Sequence, residues 1–193
     1  WFSRFVQQMD NVVALDSAVL MHADVWRASG HIENFTDPLI ECKSCNSRFR
    51  ADHMIDARFV GQGEAKEANQ CPNCGDRDFT PAKNFNLMFK TFLGPVEDAS
   101  HVSYLRPETA QGMFVNFKLV QESMRQKLPF GIAQIGKAFR NEITTGNFIF
   151  RSREFTMAEI EFFVKPGEDG KWFEFWVDQW EQFFLSLGLK KEN

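Results

Sequence analysis

Phe139-Arg140-Asn141-Glu142 and, beyond a turn, Arg151-Ser152-Arg153-Glu154-Phe155 with Glu159 and Glu161 decide how this chain is read. The segments that carry them, 131–143 and 150–164, alternate apolar residues with other types at a period of two, the pattern of β-strands. On the first, Ala133, Ile135, Phe139 and Ile143 share one face, and Gln134, Gly136, Ala138, Arg140 and Glu142 share the other. On the second, Thr156, Ala158, Ile160, Phe162 and Val164 oppose Arg153, Phe155, Met157, Glu159 and Glu161. Thr144-Thr145-Gly146-Asn147 between them carries turn chemistry, which predicts an antiparallel hairpin with a polar face beside a buried one.

That face sets arginines, carboxylates and one aromatic next to the small residues Gly136 and Ala138. An arginine fork donates two parallel, charge-assisted hydrogen bonds to phosphate oxygens. Phe155 can stack on a base, and Glu142 can accept from an exocyclic amine. The remaining carboxylates suit an ammonium group or a metal ion bridging phosphates. A solvated face laced with cross-strand ion pairs uses the same residue types, and geometry alone leaves both readings open.

Composition narrows the class. The chain has 193 residues, 44% hydrophobic, with a formal net charge of -4. That is enough apolar material for one core or a core plus a satellite. A domain devoted to gripping phosphodiester backbone would be basic, so any such contact is expected to be local or to come from parts outside this sequence. No apolar run is long enough to cross a bilayer and Trp1 opens no signal-peptide pattern, so a cytosolic protein without membrane partners is expected. The helical start at Phe2, Phe5, Val6 and Met9, without an initiator methionine, reads as an excerpt of a longer protein.

All four cysteines fall in one insert, 41–80, as Cys42-Lys43-Ser44-Cys45 and Cys71-Pro72-Asn73-Cys74-Gly75. Two residues between thiolates let one tight turn present both sulfurs to a single ion, and Gly75 lets the second turn close. Four ligands leave no open position, so the expected Zn²⁺ is structural and stabilises a segment with little apolar content of its own. Two disulfides are the competing reading and suit an oxidising compartment. The histidines His22, His31, His53 and His101 are scattered, with none set beside a nucleophile.

Punctuation divides the rest. A strand is expected over 12–20 and a short helix over 23–29, ended by Gly30. A linker passes Gly94-Pro95, and a strand ends at Tyr104-Leu105-Arg106. One helix is expected over 107–125. A last helix, 172–187, should bury Trp176, Trp180, Phe183, Phe184 and Leu187 before Gly188. At helical spacing these aromatics are core rather than stacking platforms.

Arg140-Asn141-Glu142 with Arg151 and Phe155 resembles motif 2 of the class II aminoacyl-tRNA synthetases. The strings from Tyr104 to Gly112 and from Arg153 to Glu161 resemble the dimeric glycyl-tRNA synthetases in particular, and Asn11 to Asp16 with Trp26 to His31 resembles the region of their motif 1. The resemblance implies an α+β fold: an antiparallel β-sheet flanked by helices, with a small zinc-binding insert at 41–80 between a motif 1 region, 1–40, and the sheet and motif 2 hairpin, 81–193. It implies a glycine-tRNA ligase that uses ATP with Mg²⁺, with tRNA(Gly) as partner and a homodimer for the full-length protein. ATP would meet Arg140, Asn141, Glu142, Phe150, Arg151, Arg153, Glu154 and Phe155, with Arg140 catalytic. Glycine would meet Arg50, Glu108, Phe155, Thr156, Met157, Ala158, Glu159 and Glu161. Two of these have plainer readings: Glu108 lies in a helix's first turn, where acids are favoured, and Arg50 could be a basic surface residue. No arginine follows Arg153, so the family's motif 3 arginine falls outside this chain and the excerpt is expected to be inactive alone. A synthetase-like accessory or binding subunit is the alternative, and a zinc-ribbon nucleic-acid module is disfavoured by the acidic charge.

Overall fold

The computed structural model describes residues 1–55 and 70–191, with Ile55 described by its backbone alone. The stretch of the cysteine insert at 56–69 lies outside the described residues. In chain order a helical turn at Ser3–Gln7 is followed by β1 (Val12–Ala14), β2 (Leu20–His22), α1 (Ala23–Ala28), α2 (His31–Asn34), β3 (Thr36–Glu41), β4 (Arg48–Arg50) and α3 (Ala51–Ile55). There follow β5 (Lys83–Asn86), β6 (Lys90–Phe92), β7 (Val102–Leu105), α4 (Ala110–Val115), α5 (Phe117–Ser123), β8 (Phe130–Phe139), β9 (Glu154–Phe163) and α6 (Asp169–Ser186). They form two compact units, one from residues 1–17, 109–136 and 158–193, the other from 18–108 and 137–157.

The first unit is built on β8, the central strand of the order β1-β8-β9. β1 runs parallel to it, pairing Val12 with Gly131 and Ala14 with Ala133. The sheet is therefore mixed, not wholly antiparallel as expected, because the partner on that side arrives from far upstream and not through a hairpin. Both faces of the first half of β8 are covered. Phe130 and Ile132 pack with Val13, Met113 and Val120, while Ala133 packs with Val6, Val12, Ile160, Phe162 and Trp176. This overrides the expected alternation: Gln134 is buried and Ile135 is 44% exposed. Gln134 tolerates burial because its Oε1 accepts from the Ser17 hydroxyl at 2.8 Å. Gly131 lies so close to its neighbours that a Cβ there would meet Phe162, Ile160 and Val12 at 3.0–3.2 Å.

Two further expectations change. The strand expected over 12–20 is two short strands, and Asp16 and Ser17 between them turn toward Gln134. The helix expected over 107–125 is α4 and α5, interrupted at Asn116, whose side-chain amide donates back to the Gly112 carbonyl at 2.8 Å. Such local bonds compete with the helical ladder. α6 keeps its expected place, and Phe5 inserts against it with ring centroids 4.7 Å from Trp180 and 5.0 Å from Phe183. Burying Phe5 completely stabilises this packing by about 2–3 kcal/mol. Phe184 and Leu187, expected to be buried, are 44% and 63% exposed, at the C-terminal end of α6 and just past it.

The second unit holds two antiparallel sheets, β2-β7-β6 and β4-β3-β5. Trp26 on α1 is fully buried. Gly30 follows α1 with φ of +77°, a left-handed residue that ends the helix as the sequence suggested. β8 and β9 end and begin in this unit. Contacts fall along β9 as they rise along β8, from Gly131 beside Ile160 to Lys137 beside Glu154, so these two strands form the expected antiparallel pair.

Candidate nucleotide and metal sites

The regular strands stop at Phe139 and resume at Glu154, earlier and later than the periodicity suggested, so residues 140–153 form a long connecting loop. Its base is pinned by backbone. The Arg140 N–H donates to the Arg153 carbonyl at 2.9 Å, and the Asn141 N–H donates to the Leu87 carbonyl at 2.7 Å. Arg140 Nε donates to the Pro107 carbonyl at 3.2 Å, which fixes the plane of the guanidinium. That plane lies 5.3 Å from the ring centroid of Phe155 and 5.4 Å from that of Phe35. Cation–π attraction to two rings holds the charge in place and leaves the terminal nitrogens to meet a phosphate. Sequence reasoning reached Phe155 but not Phe35, which is distant in the chain and sits in no motif.

A cavity of about 590 Å³ opens here, lined by Arg140, Glu142, Phe150, Arg151, Ser152 and Phe155 among others. Glu142 is its most telling member. Its side chain is only 12% exposed, Arg151 Nη1 stands 3.8 Å away, and Oε2 is buried with no hydrogen-bond partner. A buried carboxylate oxygen without a donor is costly, so a ligand that brings an N–H to this point gains what the protein withholds. Phe150 lines the cavity while 83% exposed.

Two residues expected to meet ATP have partners within the protein. Arg153 Nε donates to the Glu142 carbonyl at 3.1 Å and braces the loop. Glu154 pairs with Lys137 at 3.0 Å on the surface, the cross-strand ion pair of the plainer reading.

The residues expected around glycine are divided between the units, so each is described within its own. In the second unit Arg50 is no free surface cation. Nη1 lies 2.7 Å from Asp37 and Nη2 2.8 Å from Asp52. The hydrogen bonds to Asp52 raise its pKa against the opposing effect of burial, with Asp37, Asp52 and Glu142 adding electrostatic support. The same contact with Arg50 holds the Asp52 carboxyl below the usual carboxylate range. Glu108 faces His31, with Oε1 3.4 Å from Nε2. Thr156 is exposed and Met157 half-buried.

In the first unit, Ala158, Glu159 and Glu161 border a groove of about 340 Å³ closed by Trp176 and Trp180. Glu159 Oε2 accepts from the Thr109 amide at 2.9 Å and from the Thr109 hydroxyl, so it caps the start of α4. Asp37 and Asp52 were not found from sequence, since only tertiary contact joins them to the motifs, and His31 and Thr109 lie within the motif strings without a role assigned to them.

The four cysteines converge as expected. Their sulfurs lie within 4.8 Å of one another, Cys42 to Cys74 at 3.5 Å and Cys45 to Cys71 at 3.6 Å. A tetrahedron of Zn–S bonds near 2.3 Å requires sulfur separations of about 3.8 Å, so the donor set fits one zinc ion. All four thiols are free, against the disulfide reading. Cys42 and Cys71 are buried, and Gly75 has φ of +80° where the second turn closes. The Ser47 hydroxyl and backbone lower the Cys45 pKa to about 6, whereas, against the lowering effect of the Asp76 backbone, burial and the neighbouring cysteines push Cys74 up to about 12, so the metal-free sulfurs do not ionise alike. This is the only cluster among the described residues with three or more side chains placed to hold an ion.

The whole chain is 54% identical to the glycine–tRNA ligase of Clostridium acetobutylicum and covers 46% of it. It is also 54% identical to the glycine–tRNA ligase of Streptomyces coelicolor, covering all of this chain and 43% of that one. The chain thus spans about half the length of the curated relatives it matches. Among solved structures, one titled as the RNA binding domain of threonyl-tRNA synthetase from Cryptosporidium parvum shares the fold with a TM-score of 0.53 at 19% identity, over 92% of this chain and 30% of that one. Residues 89–193, more than half of the sequence, match the tRNA synthetase class II core domain (G, H, P, S and T), and the chain belongs to that family.

Proposed function

We propose that this chain is part of the core of a glycine–tRNA ligase, with the motif 1 region at 1–40 and the sheet at 81–193 separated by a zinc-bearing insert at 41–80. The relatives' shared name supports the substrate, and one observation carries the nucleotide: the buried Glu142 Oε2, with no hydrogen bond and with Arg151 Nη1 at 3.8 Å, in a cavity walled by Arg140 and Phe155. Adenine stacks on Phe155 and its exocyclic amine donates to Glu142. Arg140 donates to oxygens of the α-phosphate, and Arg151 addresses the outer phosphates.

In the first step a glycine carboxylate oxygen attacks the α-phosphorus. The bond from phosphorus to the bridging oxygen breaks, giving glycyl-adenylate and pyrophosphate. Charge grows on the α-phosphoryl oxygens in the transition state, where the pre-positioned Arg140 counts most. Mg²⁺ arriving with ATP neutralises the phosphates. A hydroxyl of the terminal adenosine of tRNA(Gly) then attacks the carbonyl carbon, and AMP leaves. Glu108 offers a carboxylate for the glycine ammonium, and Arg50 is a further candidate to lie near the amino acid.

Cys42, Cys45, Cys71 and Cys74 hold Zn²⁺, which is structural because four thiolates leave no coordination site open. The full-length protein acts as a homodimer in the cytoplasm. No helix among the described residues is long and apolar enough to cross a membrane.

The test is exchange of labelled pyrophosphate into ATP by a full-length protein containing this chain. Exchange should require glycine, and Arg140→Ala should lower it by about 10²–10³-fold, the usual effect of removing one transition-state donor. Exchange supported by another amino acid and not by glycine would refute the substrate assignment, and an unimpaired variant would refute the role of Arg140.

A further inference from the structure

Arg106 is 2% exposed and none of the chemistry above uses it. A fully buried guanidinium is expensive unless its donors are satisfied. Here Nε donates to the Lys137 carbonyl at 2.8 Å, and Nη1 reaches the Ala18 carbonyl at 3.4 Å. The backbone of the same residue is equally engaged: its N–H donates to the Val19 carbonyl at 3.0 Å and its carbonyl accepts from the Phe139 N–H at 2.9 Å. The next carbonyl in the chain, that of Pro107, is the acceptor for Arg140 Nε.

The dipeptide Arg106-Pro107 therefore touches three residues of one short stretch, Lys137, Phe139 and Arg140, each through a different atom. Two of those bonds come from main-chain carbonyls whose position depends on where the Arg106 side chain is anchored. The proline supplies a fixed φ and no competing N–H, so little slack separates the Arg106 anchor from the Arg140 acceptor. We propose that Arg106 is a positioning residue, which sets the plane of the Arg140 guanidinium over Phe155 by clamping the end of β8 to the Pro107 carbonyl. Lysine cannot replace it, because a point charge lacks the planar fork that spans the Lys137 carbonyl on β8 and the Ala18 carbonyl ahead of β2.

This inference rests on the ligase reading, and its test separates the two. In the full-length protein, Arg106→Lys should lower kcat for glycine-dependent pyrophosphate exchange by about 10–100-fold, as a misplaced catalytic group does, with KM for ATP changed less than about threefold because ground-state contacts persist. In an Arg140→Lys background, the same substitution should cost about twofold or less, since the group it positions is already lost. An equal loss in both backgrounds, or a raised KM at unchanged kcat, would overturn the proposal.

A second measurement covers a variant that fails to fold and an unmodified protein without exchange. In arginine-labelled protein, Arg140→Lys should move the NMR signal of the Arg106 Nε–H, and ATP should move it in the unmodified protein. A signal indifferent to both overturns the coupling. Absence of glycine-dependent exchange in the unmodified protein would count against the ligase reading alone.

Discussion

The cysteine knuckles and the Arg140 cavity belong to the same unit yet are specified in opposite ways. Each pair of cysteines is brought together by its own turn, with Cys42 and Cys45 on one and Cys71 and Cys74 on the other, so only one long-range meeting is needed. Arg140 instead takes its surroundings from four separate stretches: Phe35, Leu87 beneath Asn141, Pro107 and Phe155. A site made of local turns is legible as spacing. One assembled from distant strands shows only its chemically distinctive members, and its supports stay hidden.

The difference predicts unequal responses to substitution. The largest effect should fall on the knuckles, where Cys42→Ser removes one of four ligands at a buried position. We expect zinc content to fall from about one per chain to near zero, and thermal unfolding to lose the cooperativity of the insert, because metal binding and folding are coupled. Metal analysis with calorimetry checks this, and a fully folded, zinc-loaded variant would break the comparison.

Next comes Glu142→Gln, which keeps the shape but makes the accepting oxygen neutral. Hydrogen bonds to charged groups contribute roughly 1.5–3 kcal/mol, so KM for ATP should rise about 10–100-fold and preference over GTP should shrink. Phe155→Leu should raise that KM less, since base stacking on an aromatic is worth about 1–3 kcal/mol and leucine keeps part of the apolar contact. Unchanged kinetics in both would place the nucleotide elsewhere. The smallest effect belongs to Glu154→Gln: its partner is the half-exposed Lys137, and surface ion pairs contribute about 0–1 kcal/mol. A shift in thermal midpoint beyond a few degrees, or a large rise in KM, would return Glu154 to the ATP site.

Most of the hairpin was legible because period-two alternation and turn residues are local properties. The error over Gln134 and Ile135 has a definite cause: alternation assumes one solvated face, and the first half of β8 has none. The broken helix at Asn116 follows from a side-chain bond that composition does not advertise. In the site, Arg140, Glu142 and Phe155 were found because charge and an aromatic at strand spacing are unusual enough to stand out. Asp37 and Asp52, which fix Arg50, are ordinary residues made important by tertiary neighbours alone, and the bond of Thr109 to Glu159 shows only in the fold. The knuckles show the reverse, since Gly75 was read correctly from its position after Cys74 and does adopt a left-handed φ.

The two units share their two longest strands, and this limits how the protein can be dissected. The chain passes between them after residues 17, 108, 136 and 157, and two of those crossings fall inside β8 and β9. Separate domains usually meet at exposed linkers that a truncation can cut. Here no single cut releases either unit intact, and removing one would leave the other with severed strands and unpaired backbone groups. Any division of labour between the two units has therefore to be sought by exchanging side chains.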